Sequence, residues 1–339
     1  MHLLESLYYL GFSARQYYSL MRQKRLPCRV ISIGNITVGG TGKTPATIAV
    51  AEEAQRRGLK PVILTRGYKG RAKGPCFVTK GEAPLLSVRD AGDEPVLMSE
   101  RLKGVPIIKG SSRFEAGMFA LRKLQIREAE FKSYVFILDD GFQHRGLYRD
   151  RDIVLIDYQN PFADNLLLPL GRLREPVKSL RRTDVIVMTR AGGNISRDDG
   201  ANNEVLKVIR HYSPQSALFF ANHTPVSCVL RSGEGKPAGW LTGKKVFGFC
   251  AIASPDAFRR TLAELGASVC GFRAFNDHYQ YIRQDISALI EAAEQFGAEW
   301  IVTTEKDIIK AGSLDLPDNV AVVRIIFEAE EGFFDKVFS

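Results

Sequence analysis

Ile31-Ser32-Ile33-Gly34-Asn35-Ile36-Thr37-Val38-Gly39-Gly40-Thr41-Gly42-Lys43-Thr44-Pro45 decides the reading of this chain. The stretch begins as an apolar strand, passes through a glycine-rich turn and ends in Gly-Lys-Thr at the start of a helix. Such a turn lets backbone N–H groups converge on an anion at a helix N-terminus. Lys43 can then reach the outer phosphates of a nucleotide, and the Thr44 hydroxyl can ligate Mg²⁺. Residues Thr37, Val38, Gly39, Gly40, Thr41, Gly42, Lys43 and Thr44 are the expected phosphate cradle. Pro45 suits the first helical turn, where its missing N–H costs nothing. The loop departs from the general pattern at Thr37, which stands where glycine is usual.

Around this loop, short apolar runs alternate with helical ones. Strands are expected at Arg29–Ile33, Pro61–Thr65, Val105–Ile108, Tyr134–Leu138, Asp152–Asp157 and Asp184–Thr189, with helices at Lys43–Arg57, Arg113–Leu124 and Asn203–His211. The strands are continuously apolar, as expected of a parallel sheet covered on both faces. Near Val226–Leu230 and Ala238–Leu241 the texture changes to two short strands about the turn Arg231–Pro237. A second unit follows, with a strand at Lys244–Cys250, helices at Pro255–Leu265 and Ile282–Phe296, and a strand at Trp300–Thr304. The expected fold is α/β: a P-loop-type parallel-sheet domain and a smaller second α/β domain joined by a two-stranded linker. The boundaries are an N-terminal helix in residues 1–28, the P-loop domain in 29–225, the linker in 226–243 and the smaller domain in 244–339, whose C-terminal segment has room to return to the first domain.

At 339 residues the chain is long for one core. Its five cysteines, at 28, 76, 228, 250 and 270, show no paired spacing, which argues against a zinc site or a disulfide framework and for a reducing compartment. The net charge of +9 is clustered: Arg15, Arg22, Lys24, Arg25 and Arg29, then Arg66, Lys69, Arg71 and Lys73, then Arg172, Arg174, Lys178, Arg181 and Arg182. Nucleic acid, an anionic membrane and a phosphorylated substrate all fit such clusters. No apolar run is long enough to span a bilayer, and the N-terminus makes a poor signal peptide. Residues 2–22 instead read as an amphipathic helix, with Leu3, Leu4, Leu7, Tyr8, Leu10, Tyr17, Tyr18, Leu20 and Met21 beside basic residues. Such a helix lies in a membrane interface or packs on its own domain.

Further constellations carry chemistry. Asp139-Asp140-Gly141-Phe142-Gln143-His144 ends the strongest strand, where a P-loop enzyme holds its Mg²⁺, and adjacent aspartates repel unless a cation or proton lies between them. Gly92-Asp93-Glu94-Pro95 offers a carboxylate base for an acceptor hydroxyl, and equally a helix start with proline in its first turn. Asp277-His278 sits in the aromatic loop Phe275–Tyr279, where a histidine can tune a base or simply cap a turn. Thr304-Glu305-Lys306-Asp307 ends a strand, so Lys306 can contact nucleotide, unless the segment is only a capped helix start. His2, His211 and His223 have no such company and receive no role.

Taken in order, these segments, with Thr65-Arg66-Gly67-Tyr68 and Leu173-Arg174-Glu175-Pro176, resemble the tetraacyldisaccharide 4′-kinase family of lipid A biosynthesis. Thr37 is that family's own form of the loop. The resemblance implies ATP and Mg²⁺ as cofactors and transfer of the γ-phosphoryl group to the 4′-hydroxyl of a lipid-anchored glucosamine disaccharide 1-phosphate, giving the 4′-phosphorylated lipid A precursor. It implies action at the cytoplasmic face of the inner membrane, by a peripheral or monotopic protein, with no nucleic acid and no obligate protein partner. By position, Asp93 is the implied general base with His278 its partner on a closing second domain. Lys43 is the phosphate clamp, Thr44, Asp139 and Asp140 are the metal site, and Arg66, Tyr68, Gln143, His144 and Arg172 lie on the substrate side. The chain departs from the family at Leu168-Pro169-Leu170-Gly171-Arg172-Leu173, where Arg172 replaces a customary proline. The alternative, a switch-type or nucleic-acid-stimulated P-loop NTPase, lacks a guanine-reading Asn-Lys-x-Asp segment and leaves the aromatic helix unexplained.

Overall fold

The computed structural model describes residues 3–191, 200–312 and 314–339. Its strands are β1 (Arg29–Asn35), β2 (Lys60–Thr65), β3 (Cys76–Thr79), β4 (Ile107–Lys109), β5 (Tyr134–Asp139), β6 (Arg151–Asp157), β7 (Val185–Thr189), β8 (Ala217–Leu230), β9 (Gly235–Pro237), β10 (Lys245–Cys250), β11 (Ser268–Ala274), β12 (Trp300–Thr304) and β13 (Val320–Ala329). The α-helices are α1 (Leu3–Met21), α2 (Lys43–Arg56), α3 (Val88–Ala91), α4 (Asp93–Arg101), α5 (Arg113–Lys123), α6 (Gly200–Tyr212), α7 (Pro255–Glu264), α8 (Arg283–Gln295), α9 (Glu305–Ala311) and α10 (Phe333–Phe338). The chain divides into two compact units, Met1–His223 with Phe327–Ser339, and Thr224–Ile326.

In the first unit the strand order is β8-β7-β6-β1-β5-β2-β4-β3. All neighbours but β3 and β4 run parallel. The central strands are buried along nearly their whole length, which explains their unbroken apolar runs. One face of the sheet packs Val62, Leu64, Phe136 and Leu138 against Ala116 and Ala120 of α5. The other packs Val154, Ile156, Ile186 and Met188 against Leu206 and Ile209 of α6. Because β1 lies between β5 and β6, the glycine-rich loop that follows it opens at the centre of the sheet, and Ile33 pairs with Asp139.

The second unit has the order β11-β10-β12-β13, again parallel where these strands pair. Phe247, Phe249, Ile301 and Val320 meet Ile286 and Leu289 of α8, while Val246, Val302 and Val323 meet Phe258 and Leu262 of α7.

Several sequence expectations are corrected in detail. Ala238–Leu241 is a 3-10 helix, and β8 pairs instead with Gly235–Pro237. The third expected strand, Val105–Ile108, lies at Ile107–Lys109. Strands β3, β11 and β13 lie outside those expectations: β3 is a four-residue edge, and the pairing of β11 with β10 skips Cys270. His2 lies outside the described residues.

Helix α1 reverses the usual burial pattern. Its fully buried side chains are Glu5 and Gln16, whereas Leu3, Leu4, Leu7, Leu10, Tyr17, Tyr18 and Met21 are exposed. The sequence offered a membrane-interface helix or a packed one as alternatives; α1 packs by a polar face, with Tyr8 and Tyr9 against the core, and leaves an apolar face bare.

Candidate active site

The phosphate loop is fastened from outside through its carbonyl oxygens. Val38 O accepts from Arg172 Nε and Nη2 at 3.2 and 3.0 Å, Gly40 O accepts from Arg190 Nη2, and Thr41 O accepts from Thr189 Oγ1 at 3.1 Å. Val38 N donates to Arg172 O at 2.7 Å, and Asn35 Nδ2 donates to Thr41 Oγ1 at 3.0 Å. A loop whose carbonyls are held outward is the loop that presents its N–H groups to an anion. Gly42, at φ +85°, caps the start of α2, and a Cβ there would collide with Nε2 of His223 as well as strain the backbone. Burial, and then Arg190, bring the His223 imidazole down to about 4, so it stands neutral beside the loop.

Two carboxylates at the end of β5 face opposite environments. Burial, then the charges of Glu94 and Asp140, push Asp139 up to about 7. Its oxygens accept from Thr65 Oγ1 at 3.0 Å and Thr47 Oγ1 at 3.4 Å. Burial acts on Asp140 as well, but Lys43 and Arg174 outweigh it and bring that carboxyl down to about 2. Arg174 Nη1 lies 2.9 and 2.8 Å from its two oxygens, and Lys43 Nζ lies 3.6 Å away. The loop lysine and Asp140 are thus charge-balanced, while the Asp139 carboxylate is met by the hydroxyls of Thr65 and Thr47 and is drawn down only weakly by Lys43.

Asp93 opens α4, whose next residue, Glu94, is near enough to Asp139 to act on its charge. Asp93 is buried, and its Oδ1 accepts from Glu94 N at 3.1 Å. The preceding Gly92 has φ +98°, and a Cβ there would strike the Tyr68 carbonyl. That close approach seats the Arg66–Tyr68 turn, with Arg66 and Tyr68 exposed, against the start of the Asp93 helix. The helix-start reading of Gly-Asp-Glu-Pro holds, with Asp93 and Glu94 in the first turn of α4.

His144 Nε2 accepts from Arg113 N at 3.3 Å, and burial plus surrounding arginines hold its imidazole down at about 4. Gln143 donates through Nε2 to Asn35 O and to Glu175 Oε1, both at 2.7 Å, and its Oε1 accepts from Arg174 at 3.3 Å. Glu175 is also paired with Arg182 at 2.7 Å. The Gln143 amide therefore ties the loop strand to the Arg174–Glu175 segment, and Arg172 reaches the donor loop.

In the second unit, His278 has φ +61°, unusual for a residue with a side chain, and its Nε2 lies 3.8 Å from Asp277 Oδ2. Asp277 Oδ1 lies 3.5 Å from Lys306 Nζ. The loop is braced by Phe275, Tyr279 and Tyr281 packed together, with Tyr281 against Phe249. Tyr281 Oη donates to Asp307, which is buried with Lys310 at 2.8 Å. Thr304 caps α9 by accepting from Asp307 N at 3.2 Å, as the capped-start reading expects.

A family model described as LpxK, tetraacyldisaccharide-1-P 4′-kinase, matches residues 1–338. The chain belongs to the tetraacyldisaccharide 4′-kinase family. Among similar proteins of that name, one from Syntrophus aciditrophicus is 40% identical over 304 residues, covering 87% of this chain and 79% of the relative. Another, from Anaeromyxobacter sp. (strain Fw109-5), is 39% identical over 337 residues, covering 97% and 87%. The crystal structure of Aquifex aeolicus LpxK in complex with ATP aligns with TM-score 0.74 at 29% identity, covering 98% of this chain and 96% of that one. The 4′-kinase family thus agrees with the segments from which the resemblance was drawn. The sequence carries no local signal for Thr189 and Arg190, which fasten the loop from the end of β7 and just beyond it, or for His223 on β8, which packs against Gly42.

Proposed function

We propose that this protein transfers the γ-phosphoryl group of ATP to the 4′-hydroxyl of a tetraacylated glucosamine disaccharide 1-phosphate. The carrying observation is the convergence, within one unit, of the phosphate loop, the Asp139–Asp140 pair and the Asp93 helix in a chain of this family. The ATP held by the Aquifex aeolicus protein supports ATP as donor. Lys43 clamps the outer phosphates, and Asp93 takes the proton of the attacking hydroxyl. His278 is assigned as its partner and Lys306 to the nucleotide on the family resemblance. Arg66, Tyr68 and His144 are assigned to the acceptor.

The donor set also suits Mg²⁺. Among the described residues no three His, Cys, Asp or Glu side chains form a metal cage. Mg²⁺ needs none, since it is held through one or two carboxylates, waters and substrate phosphates. The raised Asp139 carboxyl is one that a cation would ionise, and Thr44 supplies a hydroxyl on the first turn of α2. Bound there, Mg²⁺ would neutralise phosphate charge. Asp140, already matched by Arg174 and Lys43, would hold those cations in place.

No described helix is long and apolar enough to cross a membrane. The bare apolar face of α1, flanked by Arg15, Arg22, Lys24 and Arg25, fits an anionic bilayer surface, and we assign the protein to the cytoplasmic leaflet of the inner membrane as a peripheral or monotopic enzyme.

The direct test is incubation with ATP radiolabelled at the γ-phosphate, Mg²⁺ and the lipid disaccharide 1-phosphate in detergent. Label in the lipid is expected; label released only as inorganic phosphate would sink the reading. Arg190→Ala is expected to raise KM for ATP about tenfold or more, the scale of a lost charged hydrogen bond, with the acceptor KM unchanged. The reverse pattern in steady-state kinetics would remove Arg190 from the donor site.

A further inference from the structure

The polar face of α1 is engaged with the loop that carries the site. Gln16 Nε2 donates to Gln143 O at 2.9 Å, and Tyr8 Oη donates to Arg174 O at 2.8 Å. Glu5, 3% exposed, accepts from Leu167 N at 2.8 Å. Beyond the helix, Gln23 Nε2 donates to Arg145 O at 2.8 Å, Lys24 N to Gly146 O at 2.9 Å, and Tyr148 N to Lys24 O at 2.8 Å. The N-terminal segment therefore runs along residues 143–148 and fastens their backbone nearly residue by residue.

These bonds are made by polar groups buried where apolar ones would be the ordinary choice. Gln16 is only 7% exposed, and its Oε1 has no hydrogen-bond partner among the described residues, which is costly. Packing alone does not account for a glutamine there, whereas the bond to the Gln143 carbonyl does. Gln143 in turn bridges Asn35, at the mouth of the phosphate loop, to Glu175 and Arg174, and Arg174 grips Asp140. A shift of the Gln143 backbone would pass directly into the group that balances Asp140.

We propose that α1 is a working part of the catalytic unit and that Gln16 and Tyr8 are positioning residues, setting the Gln143–His144 loop and Arg174. Anchoring the chain at a membrane and shaping the site are then two jobs of two faces of one helix. The inference rests on the kinase reading for its kinetic consequence, but the fastening itself has a separate readout.

The experiment uses the full chain carrying Gln16→Met, which keeps the bulk and removes the donor, and Tyr8→Phe. Amide hydrogen exchange of residues 141–148 is expected to quicken about tenfold in Gln16→Met, with α2 and β5 unchanged. In the lipid kinase assay kcat should fall about tenfold, with KM for ATP unchanged, a split that general destabilisation would not give. Sedimentation with phosphatidylglycerol-containing vesicles should match the wild type. Unchanged exchange overturns the proposal whatever the substrate is, and so does quickened exchange with normal kcat. Loss of kcat together with loss of vesicle binding returns α1 to a simple anchor. A wild-type chain that labels no lipid defeats the kinase reading alone, since the exchange result still decides the fastening.

Discussion

Lys43→Ala is expected to abolish phosphoryl transfer, lowering kcat by about 10³-fold or more, the scale set by removing a preorganised charge from a phosphoryl-transfer site. Lys43 starts α2, is largely buried, and its Nζ sits 3.6 Å from Asp140. Asp140 pairs with the ammonium, and a charge placed in advance is what makes such a group effective on a phosphoryl group. The fold should survive, because Arg174 remains on Asp140 and the loop carbonyls remain fastened by Arg172, Thr189 and Arg190. Thermal unfolding of the variant close to the wild type, with activity at background, is the expected pair of results. Activity within tenfold of the wild type would mean that another cation, Arg174 or Arg113, clamps the γ-phosphate. Lys43→Arg separates charge from geometry: a guanidinium keeps the charge but is a planar fork instead of a compact point donor, and should recover little.

What the sequence made legible divides along a physical line. The loop, the aspartates ending β5 and the Asp93 turn are dictated by chemistry within a few residues: a strand end, a glycine turn, a helix start. Their local structures, the strand ends and helix starts, match the sequence reading because the local rule and the fold agree. Thr189, Arg190 and His223 touch the loop from about 150 to 180 residues away, and nothing in their own neighbourhoods distinguishes a fastening arginine or a buried histidine from an ordinary one. Helix α1 shows the limit differently. Its composition announced apolar and aromatic mass, but periodicity alone takes the apolar face to be the packed one. The structure buries Glu5 and Gln16 because unsatisfied backbone groups at Leu167 and Gln143 need partners there.

Asp93→Asn is the sharper test of the acceptor side. The substitution keeps the shape and leaves an Oδ1 able to accept from Glu94 N, the bond now made at 3.1 Å, so the start of α4 and its seat against Tyr68 should stand. What disappears is a carboxylate able to take the proton of the attacking hydroxyl. A positioned base is worth about 10²–10⁴-fold, so kcat is expected to fall by at least about 10²-fold with KM for ATP unchanged. The decline of wild-type kcat toward acid pH should flatten in the variant, because a base is active only when deprotonated and the variant has none to protonate. Glu94→Gln supplies the contrast. Glu94 lies close enough to Asp139 to raise it, so removing its charge should ease ionisation of Asp139 and shift Mg²⁺ dependence, while leaving proton abstraction intact. If Asp93→Asn alters only the acceptor KM, Asp93 holds the sugar and the base is elsewhere; if Glu94→Gln costs as much kcat as Asp93→Asn, the two carboxylates at the start of α4 have exchanged roles.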